Sequence, residues 1–155
     1  MNRNMQFVVI GHFGDELLKL VPANMKIIRS SANQTDTAIS YSDLKNYYSK
    51  SIAVCIPLND DPEDTCGYTE LLESMAMGKP VIKAKTGCID LNIEDLNVGY
   101  YYEPHNAYDL SVKLNLLYND PTTAERLGQK GKKLIEKKYN LNAYSCRLLK
   151  FFQKS

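Results

Sequence analysis

The sequence predicts a doubly wound α/β fold, a parallel sheet with helices on both faces. Two observations carry that expectation. Short apolar runs alternate with amphipathic segments along most of the chain, the rhythm of strand–helix–strand units. The run "IAVCIPL" is apolar at nearly every position, as in a parallel-sheet strand covered on both sides. The 155 residues suffice for one domain with one sizeable core, so a single domain over 1–155 is expected.

The elements follow in order. "QFVVI", Gln6 to Ile10, is a buried strand stopped by Gly11. "GDELLKLV" reads as a helix, with Asp15 and Glu16 early and Leu17, Leu18 and Leu20 behind. "MKIIRSS" is a second strand, and "SYSDLKNYYSKS" a helix capped by Ser40 or Ser42. Ile52 to Leu58 form a third strand, apolar on both faces, with Cys55 as a small core residue. The acidic "NDDPEDTCG" leads into a helix over Thr69 to Met77. "PVIKA" and "VGYYYEP" are the fourth and fifth strands. Asn106 caps the next helix, where Leu110, Leu114 and Leu117 keep helical spacing. Pro121, a favoured first-turn residue, starts another, and "NLNAYSCRLLKFFQKS" closes the chain as a helix. There is no internal repeat, low-complexity segment or clear linker.

Composition narrows the function. Hydrophobic residues make up 44% and charged residues 24%, an ordinary globular balance. The net charge of +1 argues against a dedicated nucleic-acid binder. No run approaches the roughly 18 apolar residues of a membrane span. The start, "MNRNMQFVVIGHFGDE", lacks the apolar core of a signal peptide, and a cytoplasmic location is expected. Cys55, Cys66, Cys88 and Cys146 form no C-x-x-C pair, and neither His12 nor His105 lies near them. Reduced thiols and no metal site are therefore expected.

Sheets of this class bind ligands outside the carboxyl ends of their strands. The stretch "TCGYTELLESMAMGKPVI", Thr65 to Ile82, begins on that rim. At about 100° per residue, Leu71, Leu72, Met75 and Ala76 share one face of its helix, and Glu70, Glu73, Ser74 and Met77 share the other. Gly78 ends the helix and Pro80 prevents its continuation. The amides around Gly67 to Glu70 lack intrahelical partners and make a natural phosphate site. The Thr65 and Thr69 hydroxyls could add donors. Glu73, one turn further in, is placed to accept two hydrogen bonds from a vicinal diol. A nucleoside diphosphate offers both groups. Against this stands the bland alternative: first-turn glutamates are favoured by the helix dipole alone, and Gly-x-Thr is common punctuation.

This stretch resembles the donor-site signature of the retaining GT-B glycosyltransferases of family four, an acidic residue, a Gly loop, then "LLEAMA-x-G-x-PVI". Flanking segments resemble the family in the same order, from "LKNYYSKSIAVCIPL" to "DPTTAERLGQKGKKLIEKKYN", so the likeness runs from about Gln6 to the C-terminus. It implies the C-terminal, Rossmann-like half of a GT-B fold. It also implies retaining transfer of a sugar from a UDP-, GDP- or ADP-sugar to an acceptor hydroxyl on a glycan, polysaccharide or lipid-linked acceptor. By resemblance Glu73 holds the donor ribose, and Gly67, Tyr68 and Thr69 meet the diphosphate and sugar, with Thr65, Cys66 and Glu70 beside them. The nucleotide sugar is a substrate, and neither cofactor nor metal is implied.

Three departures qualify the resemblance. Thr65 stands where the family usually places a glutamate, eight residues before the ribose one. Glu63 or Asp64 is the candidate to face the donor sugar instead, so the catalytic residue is left unassigned. The family's basic pair and its N-terminal acceptor domain have no counterpart in these 155 residues, so the chain alone is expected to be inactive. An inactive nucleotide-binding or assembly module, and an epimerase-like relative, are the alternatives.

Other candidates are weaker. Gly11 and Gly14 form a Gly loop after the first strand, where a plain turn is the default. Arg29 and Ser30 reach the rim where related proteins hold the base. Thr86, Gly87 and Cys88 match the family's post-strand loop. Lys83 and Lys85 end the fourth strand and could face phosphate, but lysines at a strand end are usually solvated, and that is the expectation here. His105 reads as a surface turn residue. From Arg126 the tail is basic with Glu136 its only acid, a solvated face by default or a contact for anionic membrane.

Overall fold

The computed structural model describes residues 4–11, 16, 19, 21–29, 39–58, 67–86 and 91–153. They fall into two compact units, Met1–Lys50 and Ser51–Ser155.

In the first unit, β1 (Phe7–Gly11) pairs in parallel with β2 (Met25–Arg29), from Phe7 opposite Met25 to Gly11 opposite Arg29. The Asn24 amide donates to the Met5 carbonyl at 2.9 Å, tying the strand entries together. Helix α1 (Tyr41–Lys50) follows. Ser40 is its cap: Oγ accepts the Asp43 N–H at 3.0 Å and donates to the Asp43 carboxylate at 2.7 Å. The helix expected over "GDELLKLV" lies almost wholly outside the described residues.

In the second unit, β3 (Val54–Ile56), β4 (Val81–Ala84) and β5 (Gly99–Tyr102) form a parallel sheet in that order. Central β4 is buried along its whole length. Alternation splits its side chains between two apolar clusters. Val81 packs with Ile56, Leu71, Met75, Ile93 and Val98. Ile82 and Ala84 pack with Tyr102, Leu117, Ala124 and Leu127. Helix α2 (Tyr68–Ala76) feeds the first cluster and α3 (Ala107–Asn119) the second, so helices cover both faces. This is the doubly wound arrangement that the sequence predicts.

The strand over Ile52–Leu58 is shorter than expected. Only Val54–Ile56 are in register with β4, and Ile52 and Cys55 are exposed. Cys55 is therefore not a core residue: among the described strands β3 lies at an edge of its sheet, and its middle side chain stays open to solvent.

The remaining helices start where their caps dictate. Asn106 accepts the Asp109 N–H at 3.0 Å ahead of α3. Asp120 accepts the Thr123 N–H at 3.0 Å, with Pro121 in the first turn of α4 (Pro121–Lys137). Asn140 accepts the Ala143 N–H at 2.9 Å ahead of α5 (Leu141–Phe152). Helix α4 packs against α2 through glycines. A Cβ on Gly128 would stand 2.0 Å from the Gly78 carbonyl oxygen, and one on Gly131 would meet the Met75 side chain at 3.1 Å.

Candidate functional site

The site is built on the amino end of α2. Gly67 is its N-cap, buried, with φ 94°, a left-handed conformation that side-chain-bearing residues avoid. Space is tight as well, since a Cβ would meet the Leu58 side chain at 3.0 Å and that of Ile56 at 3.1 Å. The chain thus enters the helix with its backbone pressed against the end of β3. The Gly67 carbonyl accepts the Leu71 N–H at 3.0 Å. Among the described residues, no acceptor meets the N–H groups of Tyr68, Thr69 or Glu70, and no side chain caps the helix. These amides and the positive end of the helix dipole are suited to an anion.

Tyr68 is half-buried against the first cluster, whereas Thr69 and Glu70 are exposed. Glu73 is half-buried one turn further in. Ser74 breaks the expected pattern. It is fully buried, while Ala76, assigned to the apolar face, is exposed. Helix α4 packs beside α2, with Gly131 against Met75 and Gly128 against Gly78, so the buried arc of α2 is not confined to the sheet-facing side. The Ser74 hydroxyl is satisfied by donating to the Glu70 carbonyl. The helix ends as anticipated: Gly78, at φ 67°, donates to the Met75 carbonyl, and Lys79 N–H donates to that of Ser74 at 2.9 Å.

Near the amino end of α2 lie the carboxyl ends of β3 and β4. Thr86, two residues past β4, is half-buried, and its N–H donates to the Ala84 carbonyl at 3.0 Å. Lys85 is exposed, 3.8 Å from the Glu103 carboxylate, a pair of little energetic weight. Lys83 is not solvated as expected. It is fully buried, its ammonium donating to the Ala84 carbonyl at 3.0 Å and the Thr86 hydroxyl at 3.2 Å, and lying 5.6 Å from the Tyr101 ring centre. The signal was present in the sequence: Lys83 sits two residues after Val81 in a buried strand and so shares its face. In the first unit, Gly11 and Arg29 end β1 and β2 side by side. Gly14, Ser30, Glu63, Asp64, Thr65, Cys66, Gly87 and Cys88 lie outside the described residues.

Electrostatics mark two further groups. Burial, with the Cys55 thiol nearby, pushes the Tyr102 phenol up to about 12. Cys55 is exposed by area, yet enough atoms crowd its thiol to push it up to about 11 by loss of hydration. An open hollow of about 330 Å³ is lined by Asn97, Arg126, Gln129, Lys130 and Lys133. It lies by the amino end of β5, away from the strand ends described above. His105 is an exposed turn residue, as expected. Among the described residues there is no group of three or more His, Cys, Asp or Glu fit to hold a metal, and no helix long and apolar enough to cross a membrane.

Comparison with known proteins bears on the family and the fold. The model of the family described as glycosyl transferases group 1 matches residues 1–134. Comparison with curated protein sequences returns no match. Among solved structures, sucrose-phosphate synthase from Thermosynechococcus elongatus superposes with a TM-score of 0.70 at 18% identity, over 99% of this chain and 46% of that one. HepE from Anabaena, solved with UDP and with UDP-glucose, gives 0.73 and 0.72 at 16% identity, over 99% of this chain and 42% of that one. The C-terminal domain of a glycosyl transferase group 1 family protein from Francisella tularensis gives 0.60 at 18% identity, over 88% of this chain and 87% of that one. At these identities the likeness is one of fold. The chain spans less than half the length of the first two proteins.

Proposed function

The chain belongs to the group 1 glycosyl transferases, and we propose that it is the donor-nucleotide-binding half of such an enzyme. In this reading residues 1–155 are one nucleotide-sugar-binding domain, and a further domain supplies the acceptor site. The reaction is retaining transfer from a UDP-, GDP- or ADP-sugar to a hydroxyl of a glycan, polysaccharide or lipid-linked acceptor. The bond between the anomeric carbon and the diphosphate breaks, and the acceptor oxygen takes its place.

The observation that carries the reading is the amino end of α2. Its buried left-handed Gly67 brings backbone close to a ligand, and the Tyr68, Thr69 and Glu70 amides stand ready for the diphosphate. These preset donors stabilise charge on the leaving diphosphate without reorganising, work that a metal does elsewhere. Glu73 then accepts from the ribose diol. Thr86, at the turn after β4, lies toward the donor sugar or phosphates, and the family resemblance makes Gly11 and Arg29 candidate base contacts. HepE, a protein of this fold, is solved with UDP, which makes uridine nucleotides the first to test. The exposed basic residues of α4 and α5 suit a cytoplasmic enzyme that touches an anionic membrane surface while acting on a lipid-linked acceptor.

Calorimetric titration with UDP, GDP and ADP tests the reading. Saturable binding of at least one is expected, with no sugar transfer by the isolated chain. Absence of binding to all three refutes it.

A further inference from the structure

We propose that Lys83 is a positioning residue of the nucleotide site, its buried ammonium fixing the turn after β4 and lending positive charge to the ligand's diphosphate. This rests on the donor-site reading above. The inference starts from where the side chain lies. Lys83 is in register with Ile56 on β3 and Tyr101 on β5, and register partners in a parallel sheet point to the same face. That face carries α2. Ile56 in turn lies 3.1 Å from where a Cβ on Gly67 would stand. One apolar side chain therefore separates the Lys83 stem from the cap of the anion-ready helix.

Burying an ammonium is costly, and an apolar side chain of similar length would fill the same space without that cost. The neighbours on β4, Val81, Ile82 and Ala84, take the apolar solution. Lys83 differs from them in what its ammonium reaches. It holds the Ala84 carbonyl, at the last residue of the strand, and the Thr86 hydroxyl, two residues further on. It also lies over the Tyr101 ring, whose own hydroxyl is fixed by donating to the Leu91 carbonyl at 3.1 Å. These contacts are not the whole of its partners. Together they brace the turn at the carboxyl end of the central strand, where open α/β sheets place their ligands. Water and salt screen a charge held inside the protein far less than a surface one, so a diphosphate at the α2 amino end feels it.

Lys79 supplies the control. It carries the same charge just before the amino end of β4, half-buried, with its ammonium donating to the Ser51 carbonyl at 2.8 Å. Burial lowers its pKa. Removing either lysine deletes a sheltered cation and changes net charge equally, but only Lys83 stands at the ligand end.

The experiment titrates the parent chain, Lys83→Met and Lys79→Met with the tightest-binding of UDP, GDP and ADP and with its nucleoside, after circular dichroism confirms folding. Lys83→Met is expected to weaken the diphosphate roughly 10- to 100-fold while leaving nucleoside affinity in place. Lys79→Met should bind both like the parent. If Lys83→Met does not fold, Lys83→Gln, which keeps donors without charge, takes its place with the same readout. Parent-like diphosphate binding by the folded Lys83 variant overturns the proposal, as do equal losses in both lysine variants or equal losses for diphosphate and nucleoside. Failure of the parent chain to bind any nucleotide is a different result, and refutes the donor-site reading itself.

Discussion

Glu73→Ala and Glu70→Ala, compared in one titration, separate a ligand-binding helix from an ordinary one. The two glutamates share α2, carry the same charge and lie three residues apart. Glu70 occupies the third helical position and is exposed, whereas Glu73 is half-buried a turn further in. At Glu70 the carboxylate contributes through the helix dipole, about 0.3–1 kcal/mol at an exposed site. At Glu73 a carboxylate that accepts from a diol contributes roughly 1.5–3 kcal/mol for a charged hydrogen bond. That predicts an affinity loss of about 10- to 150-fold for Glu73→Ala and less than about 5-fold for Glu70→Ala. Helix propensity changes equally in both, toward a slightly more stable helix. Glu73 already has a partner in the protein, so Glu73→Gln is run beside the alanine variant to keep the side chain's bulk. Calorimetry with UDP and GDP, with thermal midpoints checked first, gives the answer. Equal and small losses would return α2 to a helix whose acids serve only its dipole. A larger loss at Glu70 would move the diol contact to the first turn.

Three further outcomes are expected. Nucleotide binding is expected to survive EDTA, because no group of three or more His, Cys, Asp or Glu fit to hold a metal occurs among the described residues and, on the proposed reading, backbone amides meet the diphosphate; loss on chelation with recovery in magnesium or manganese would contradict the proposed site. Gly128→Ala destabilises the fold: the added methyl stands 2.0 Å from the Gly78 carbonyl oxygen, and overpacking of about 1–3 kcal/mol or more outweighs the gain of about 1 kcal/mol in helix propensity. A parent-like or higher unfolding midpoint would show that α4 slides away freely. Stability also falls in alkali. Tyr102 holds its proton more tightly when folded, about 12 against an ordinary 10, so its contribution is intact below pH 10 and is lost as pH rises toward 12. Tyr102→Phe has no such proton, and urea unfolding across that window should show a shallower decline; equal slopes would clear Tyr102 as the cause.

Much of this molecule is written in short spans of chain. Ser40, Asn106 and Asp120 cap their helices with partners three residues away, and Gly78 closes α2 against its own last turn. Such signals involve neighbours in sequence and are readable without a fold. The stretch around Gly67 and Glu73 is legible for the same reason, since cap, first turn and second turn are consecutive. Burial is different, because it depends on which remote element arrives. Ser74 is polar by type and sits on the glutamate side by the wheel, yet it is fully buried in a helix whose neighbours Met75 and Gly78 are met closely by Gly131 and Gly128 of α4. Cys55 lies in an apolar run, yet β3 has a described neighbour on one side only and leaves it open. Lys83 reads as a solvated strand end, yet Ile56 and Tyr101 flank it in register and enclose its charge. The chain's own order thus determined the described elements and the helix start on which the candidate site is built. Only packing between distant segments decided which polar groups those elements shut away from water, because desolvation is set by every atom that surrounds a group.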